Sequence, residues 1–397
     1  MNTPRSCPVC NHHKSSQLFQ QSFSSLSHGS LLDGYALVIC DSCGAGYAQD
    51  IPPQTVFDRY YTEMSKYEYI DRAGVQTDSE LQRFREEVDL AESYLTNTDR
   101  ILDIGCSTGG LLAEFKRRGF LNLLGVDPSP ACVKFTEELY GITAKPTTIS
   151  TLDRLNEQVD IAFLTGVLEH LRDLDSSLNS VKSCLKTGGL IFLVVPDATR
   201  YDRHFSAPFQ FFSMEHINYF SPTSLSNLMA RHGFSAVFTK RLTLQLTSNA
   251  NEPSISGLFR WDLEAQDSST FVRDDETAPA LTRYIQQSQT LERQIQTKID
   301  RLVDASKPLA VWGVGTHTLR LLETSRLSQA KLVAFIDSNV NYQGKTLAGI
   351  PVISPADFNN PTAEILISSQ TAETEIFQLI DRDWHWSNPI HRLYDNN

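Results

Sequence analysis

Between residues 100 and 197 the sequence repeats one rhythm: a short apolar run, a turn, then an amphipathic stretch of helical length. "RILDIGCSTGGLLAEFKRRGF" reads as strand, glycine turn and helix, and "LNLLGVDPSPACVKFTEEL" repeats the cycle with an aspartate at the strand end. "VDIAFLTGVLEHL" and "GGLIFLVVPD" supply a third and a fourth strand. Strands alternating with helices of this length predict an α/β fold with a mostly parallel sheet covered on both faces. In such a sheet, ligands sit at the carboxyl ends of the strands.

Near residue 240 the rhythm stops. "TSNANEPSISG" and "EAQDSSTFVRDDETAP" are rich in Ser, Asn, Asp and Pro and read as loops. A long helix is expected next, from the spacing of Leu281, Ile285, Leu291, Ile295, Ile299 and Leu302, and it suits packing or dimerisation. Then "LAVWGVGTHTLRLL", "KLVAFID" and "EILISS" open a second, smaller Rossmann-like domain. The expected division is 1–56, 57–260 and 261–397.

The first fifty residues differ in kind. "CPVC" and "CDSCGAGYA" place Cys7 and Cys10 in one C-x-x-C pair and Cys40 and Cys43 in another, 29 residues apart. Two such knuckles can bring four thiolates around one tetrahedral ion, and four sulfurs favour structural zinc, or iron. Redox pairs and unligated thiols are the alternatives. Four sulfur ligands leave no open position for catalysis, and His12, His13 and His28 are spare ligands at best. Seven cysteines, three of them scattered singly, suit a reducing compartment better than a disulfide framework. "MNTPRSCPVC" carries no apolar leader, and the longest apolar run, "LIFLVV", is far short of a membrane span. A cytoplasmic protein without a membrane partner is therefore expected. The net charge of −12 argues against nucleic acid, whose phosphates need clustered Lys and Arg.

In "LDIGCSTGG" a turn precedes a helix whose first N–H groups are unpaired, a setting suited to a polar ligand. A nicotinamide fingerprint would need G-x-G-x-x-G, which this turn lacks. Asp103, Gly105, Ser107 and Gly109 resemble instead the first motif of the class I S-adenosylmethionine-dependent methyltransferases, D-x-G-x-x-x-G, although many members have glycine where this chain has Ser107. The resemblance implies that the turn wraps the methionine end of the donor. It further implies that Asp127 holds the two ribose hydroxyls, that Pro128 lies near the adenine edge, and that Thr165 closes the fourth-strand motif "FLTGVLEHLRDL". This likeness covers about residues 85 to 240.

The order of zinc module, methyltransferase core and second Rossmann-like domain is similar to the nucleotide-sugar C-methyltransferases, over nearly the whole chain. That likeness implies a substrate carried on a nucleotide and methylation of a carbon beside a sugar ketone. In "FFSMEHINYF" the family's Glu-His pair falls on Glu215 and His216, implying His216 as base with Glu215 orienting it, and His170 of "LEHL" as steadying the oxyanion or positioning the sugar ring. Ser213 stands where that family has a tyrosine. "MSKYEYIDR" nominates Tyr67 or Tyr69 as substrate contacts, and Tyr219 is a further candidate. In the C-terminal domain Gly313 and Gly315 can admit a phosphate of the nucleotide, while Thr318 stands where a third glycine would complete a dinucleotide fingerprint; a structural or dimerising lobe is the alternative. O- or N-methylation of a sugar or other small metabolite, and a non-catalytic cofactor-binding scaffold, remain open, as does the choice between monomer and homodimer.

Overall fold

The structure is a computed structural model that describes residues 5–27, 31–63, 74–247, 250–262 and 271–394. Three sheets occur among these residues. A four-stranded sheet has the order β1 (Ser15–Ser22), β2 (Gly34–Cys40), β3 (Gly46–Gln49), β9 (Asn218–Tyr219). A seven-stranded sheet runs β10 (Phe234–Thr247), β11 (Ala250–Trp261), β8 (Leu185–Pro196), β7 (Val159–Thr165), β4 (Ile101–Ile104), β5 (Leu123–Asp127), β6 (Ala144–Pro146). A six-stranded sheet runs β14 (Thr346–Leu347), β15 (Ile350–Ile353), β13 (Leu332–Ile336), β12 (Leu309–Trp312), β16 (Glu364–Ile367), β17 (Ile390–Arg392). The helices are α1 (Gln54–Glu63), α2 (Asp78–Ala91), α3 (Gly110–Arg117), α4 (Pro130–Tyr140), α5 (Leu174–Cys184), α6 (Pro222–Arg231), α7 (Thr277–Ala305), α8 (Thr316–Thr324) and α9 (Glu373–Leu379).

The expected parallel core is present: β4 pairs in parallel with β5 and with β7, β5 with β6, and β7 with β8. Chain order reverses between β4 and β7, which opens the crevice where α/β sheets bind ligands. Strands buried on both faces are mostly apolar, and β4 is buried at all four positions with Asp103 its one polar residue. The rings of Phe115, Phe163 and Phe192 form a chain with centroids 5.0 Å apart at each step, filling one side of this sheet. Each such ring removed from water contributes roughly 2–3 kcal/mol.

One expectation fails here. "TSNANEPSISG" was expected to be a loop, yet residues 250–257 belong to β11, an antiparallel strand between β10 and β8. Asn, Pro, Ser and Gly are poor strand formers, but pairing on both sides satisfies the backbone, and Ser254 and Ser256 are completely buried. Pro253 costs no hydrogen bond as acceptor, since its carbonyl receives the Asp197 N–H at 2.7 Å. In the second stretch expected to be a loop, residues 271–276 carry no regular element and α7 begins at Thr277, while 263–270 fall outside the described residues.

The chain divides into two compact units. Met1–Leu18, Ala36–His204 and Glu215–Leu281 form one, and Phe19–Tyr35, Phe205–Met214 and Thr282–Asn397 form the other. In the second unit, Arg320 on α8 is paired with Glu292 on α7 at 2.8 Å, hydrogen bonds Gln21 and stacks over the Phe209 ring at 3.7 Å. A buried guanidinium survives only with such complete pairing, so this one cation joins three separate segments of sequence.

Candidate active site

The edge of the crevice begins with the turn after β4. Gly105, Ser107 and Gly109 all have left-handed backbone, with φ of +79°, +48° and +82°. A side chain at Gly105 would meet Val167 at 2.9 Å and one at Gly109 would meet Thr136 at 2.6 Å, so both glycines are required by close approach as well as by conformation. Ser107 takes this conformation despite its Cβ. Its N–H donates to Asp127 Oδ2 at 2.9 Å, and its carbonyl accepts from Thr136 Oγ1 at 3.2 Å. The other Asp127 oxygen accepts the Ser129 N–H at 2.8 Å. The carboxylate is thereby fixed at the end of β5, half-buried beside Pro128.

Beneath the turn Asp103 is 2% exposed, and burial, reinforced by Glu87 and Asp127, holds its carboxyl well above the usual range. Across the crevice Thr165 ends β7 half-buried and Gly166 is exposed. Gly105, Ser107, Asp127, Pro128 and Thr165 thus line one open edge.

Val167, which touches the glycine turn, leads directly into a single helical turn at Leu168–His170. That turn is tied to the segment after His216. The Ile217 N–H donates to the Glu169 carbonyl at 2.8 Å, and Asn218 Nδ2 donates to the carbonyls of Leu168 and Leu171 at 2.7 Å each. These bonds bring the His170 and His216 rings edge to face, with centroids 4.8 Å apart. Glu169, 3% exposed, places a carboxylate oxygen 3.9 Å from His170 Nε2.

Two hydroxyls reach this cluster from α1. Tyr61 Oη lies 2.9 Å from His170 Nδ1, and Tyr60 Oη donates to Glu215 Oε1 at 3.0 Å. His170 Nδ1 is also 3.1 Å from the Glu215 carbonyl, so two oxygens meet this one ring nitrogen. Sequence reasoning looked for phenolic hydroxyls at Tyr67 and Tyr69, which lie outside the described residues, and missed Tyr60 and Tyr61. The adjacent pair in "FDRYYTE", on a helix just ahead of the core, was the available signal.

Tyr219, expected at the substrate, is 1% exposed and its hydroxyl donates to the His216 carbonyl at 3.0 Å. Its place is behind the histidine, because β9 pairs with β3 and turns the ring inward. That pairing adds the His216 segment as an edge strand to the sheet of the cysteine module. Arg5 reinforces it, donating to the Ile217 carbonyl at 2.7 Å and to Asn218 Oδ1 at 2.9 Å.

Cys7, Cys10, Cys40 and Cys43 hold their sulfurs within 4.8 Å of one another. Cys7 and Cys43 are 3.6 Å apart, Cys10 and Cys40 3.5 Å. A tetrahedron with metal–sulfur bonds of about 2.3 Å has edges of about 3.8 Å, so the four thiols fit a zinc ion. Hydrogen bonds from the other three sulfurs push the Cys7 thiol far up, the behaviour of crowded sulfurs that cannot all ionise unless a cation joins them. His12 and His13 are exposed, and His28 lies outside the described residues.

Gly313 and Gly315 belong to the other unit, in the turn between β12 and α8. Ser213 is in that unit too, where its carbonyl accepts from Tyr35 Oη at 3.1 Å.

Comparison with known proteins bears on this arrangement. Residues 76–238 match a family model described as a methyltransferase domain. The C-methyltransferase NovU of Streptomyces niveus is 24% identical over 340 residues, covering 80% of this chain and 76% of that protein. The ubiquinone biosynthesis O-methyltransferase of Brucella anthropi is 31% identical over 105 residues, covering 25% of this chain and 42% of that enzyme's length. Among solved structures, the 1,6-didemethyltoxoflavin-N1-methyltransferase of Burkholderia thailandensis, with 1,6-didemethyltoxoflavin and S-adenosylhomocysteine bound, has 17% identity and a TM-score of 0.42, covering 57% of this chain and 96% of that one. With the matched domain spanning the glycine turn and the strand reversal beside it, the chain is an S-adenosylmethionine-dependent methyltransferase with a class I Rossmann-like fold.

Proposed function

We propose that the protein methylates a carbon adjacent to the ketone of a nucleotide-linked sugar. The observation that carries this reading is the pair of histidine rings 4.8 Å apart beside the donor turn, with Tyr61 Oη on the His170 ring and Tyr219 Oη on the His216 carbonyl. The similarity to a C-methyltransferase over 80% of the chain supports it independently. In this reading Gly105, Ser107 and Gly109 cradle the donor, Asp103 sits beneath them, Asp127 accepts its ribose hydroxyls, and Pro128 and Thr165 border it. S-adenosylmethionine supplies an electrophilic methyl and leaves as S-adenosylhomocysteine.

The protein's own contribution is a proton transfer. The ketone acidifies the neighbouring C–H, His216 takes that proton as base, and the enolate carbon so formed is aimed at the methyl. Glu215 and Tyr60 set the base's loop, and His170, oriented by Tyr61, holds the oxyanion. An imidazole with a reference pKa of about 6.5 accepts a proton near neutral pH without a large shift. Four cysteines hold a structural zinc that shapes the module carrying β3, and Gly313 and Gly315 contact the nucleotide part of the substrate.

The test uses nucleotide-linked 4-ketosugars in heavy water without the donor. Deuterium enters the α-carbon with the native enzyme and not with His216→Asn. No exchange across the panel, together with methylation of a hydroxyl or amine, would replace this reading by O- or N-methylation.

A further inference from the structure

Among the described residues, two clusters of His, Cys, Asp and Glu bring three or more metal-ligating atoms within 4.8 Å of one another. One is the set of four cysteines. The other is Glu169, His170 and His216, a carboxylate and two imidazoles beside the donor turn. The Glu169 side chain is buried with one oxygen 3.9 Å from His170 Nε2, and the two imidazole rings stand edge to face with centroids 4.8 Å apart. Ligand atoms on one ion, at bonds of about 2.0–2.2 Å, lie about 3–3.5 Å from one another, so small side-chain rotations close this set. The backbone that carries it is already tied together, through the Ile217 N–H on the Glu169 carbonyl and Asn218 Nδ2 on the carbonyls of Leu168 and Leu171.

The surroundings of His170 are those of a metal-bound histidine. Such a ring carries its ion on one nitrogen and rests the other against a carbonyl, carboxylate or water, which fixes its orientation. With Nε2 on the ion, His170 Nδ1 carries the hydrogen, and the Glu215 carbonyl at 3.1 Å and Tyr61 Oη at 2.9 Å stand ready to accept it. Two imidazoles and one carboxylate select zinc, cobalt or nickel over magnesium and calcium, which prefer oxygen ligands. Three protein ligands leave a position for water, unlike the closed set of four cysteines.

We propose that Glu169, His170 and His216 form a second metal site, which takes a divalent ion of the zinc class and switches the enzyme off. A neutral imidazole has one basic nitrogen, and an ion bound there takes the lone pair with which His216 accepts a proton. No thiolate contributes, so the ion is held more weakly than by the four cysteines and enters only when metal is supplied. Binding rests on the geometry of the three side chains, and only the inhibition rests on the reading of His216 as base.

The experiment loads the full-length protein with one equivalent of Zn2+ to fill the cysteines, then titrates Co2+ and follows its visible spectrum. One further cobalt binds per chain, with the absorption of nitrogen and oxygen ligands and without the sulfur-to-cobalt charge-transfer band of a cysteine site. Glu169→Gln and His216→Asn each weaken this binding about a hundredfold or more, and Tyr61→Phe, which removes an outer partner of His170, weakens it about tenfold. Mg2+ and Ca2+ do not compete. A readout on the native protein needs no variant to fold: bound Co2+ shields His170 and His216 from diethyl pyrocarbonate, and exposed His12 and His13 stay reactive. Sulfur bands only, undiminished binding in both variants, no protection of the two histidines, or no bound cobalt at millimolar concentration overturns the site. Deuterium exchange into the ketosugar falls in step with cobalt occupancy, and undiminished exchange at full occupancy overturns the inhibition. Should the native protein exchange none of the ketosugars, the spectrum and the protection still decide the site.

Discussion

Removing the Arg5 guanidinium tests how the cysteine module serves the active site. Arg5 is 8% exposed and makes four hydrogen bonds, to the carbonyls of Ala48, Arg172 and Ile217 and to Asn218 Oδ1, at 2.7 to 2.9 Å. It also lies over the Tyr47 ring, 5.4 Å from its centroid. Burial lowers its pKa to about 9, so it remains charged at neutral pH. In Arg5→Ala the Ile217 carbonyl keeps the Ala48 N–H, but the other three acceptors lose a donor inside the protein. At about 1 kcal/mol for each of four bonds, the loss is about 4 kcal/mol. Scanning calorimetry of the full chain should show the transition of the first unit lowered by about 8–16 °C. Turnover should fall with it even at temperatures where the variant is folded, because Ile217 and Asn218 directly follow His216. Arg5→Lys, with a compact ammonium in place of a fork, recovers less than half of the stability. A variant that melts within about 2 °C of the native protein and turns over normally would refute the claim that this latch positions the histidine.

Three further outcomes are expected. Metal analysis should find one zinc per chain, and Cys40→Ser should lose it together with the fold of the four-stranded sheet, since structural zinc contributes about 10 kcal/mol or more. Tyr61→Phe, which removes the hydroxyl 2.9 Å from His170 Nδ1, should lower kcat about tenfold with KM little changed; an unchanged kcat would remove His170's orientation from the mechanism. Glu87 on α2 is 1% exposed, and burial raises its carboxyl to about 7 despite Arg83 at 3.8 Å. Its folded pKa exceeds the unfolded one, so the folded state holds the extra proton, and stability falls as pH rises from about 4.5 to 7 and is level above. Glu87→Gln should therefore be more stable than the native protein at pH 8, by about 3 kcal/mol in urea unfolding, and should gain nothing at pH 4; equal stability at both values would place the carboxylate in water.

Hydrophobic period, glycine turns and the C-x-x-C pairs are local properties, and the sequence alone determined what depends on them. Asp103, Gly105 and Gly109 read correctly as a strand running into a turn because φ and close approach there tolerate little else. The cysteine spacing likewise anticipated four sulfurs in one cluster. Only the tertiary structure decided the rest. Ser254 and Ser256 have no strand propensity to read, and β11 exists because β8 and β10 pair with it on either side. Tyr60 and Tyr61 reach residues 155 and 109 positions away, and Arg5 reaches across more than 200, and no local spacing encodes such contacts. A short pattern specifies what a few neighbouring residues must do, whereas the surroundings of His170 and His216 are assembled from α1, the cysteine module and β9, which meet only once the chain has folded.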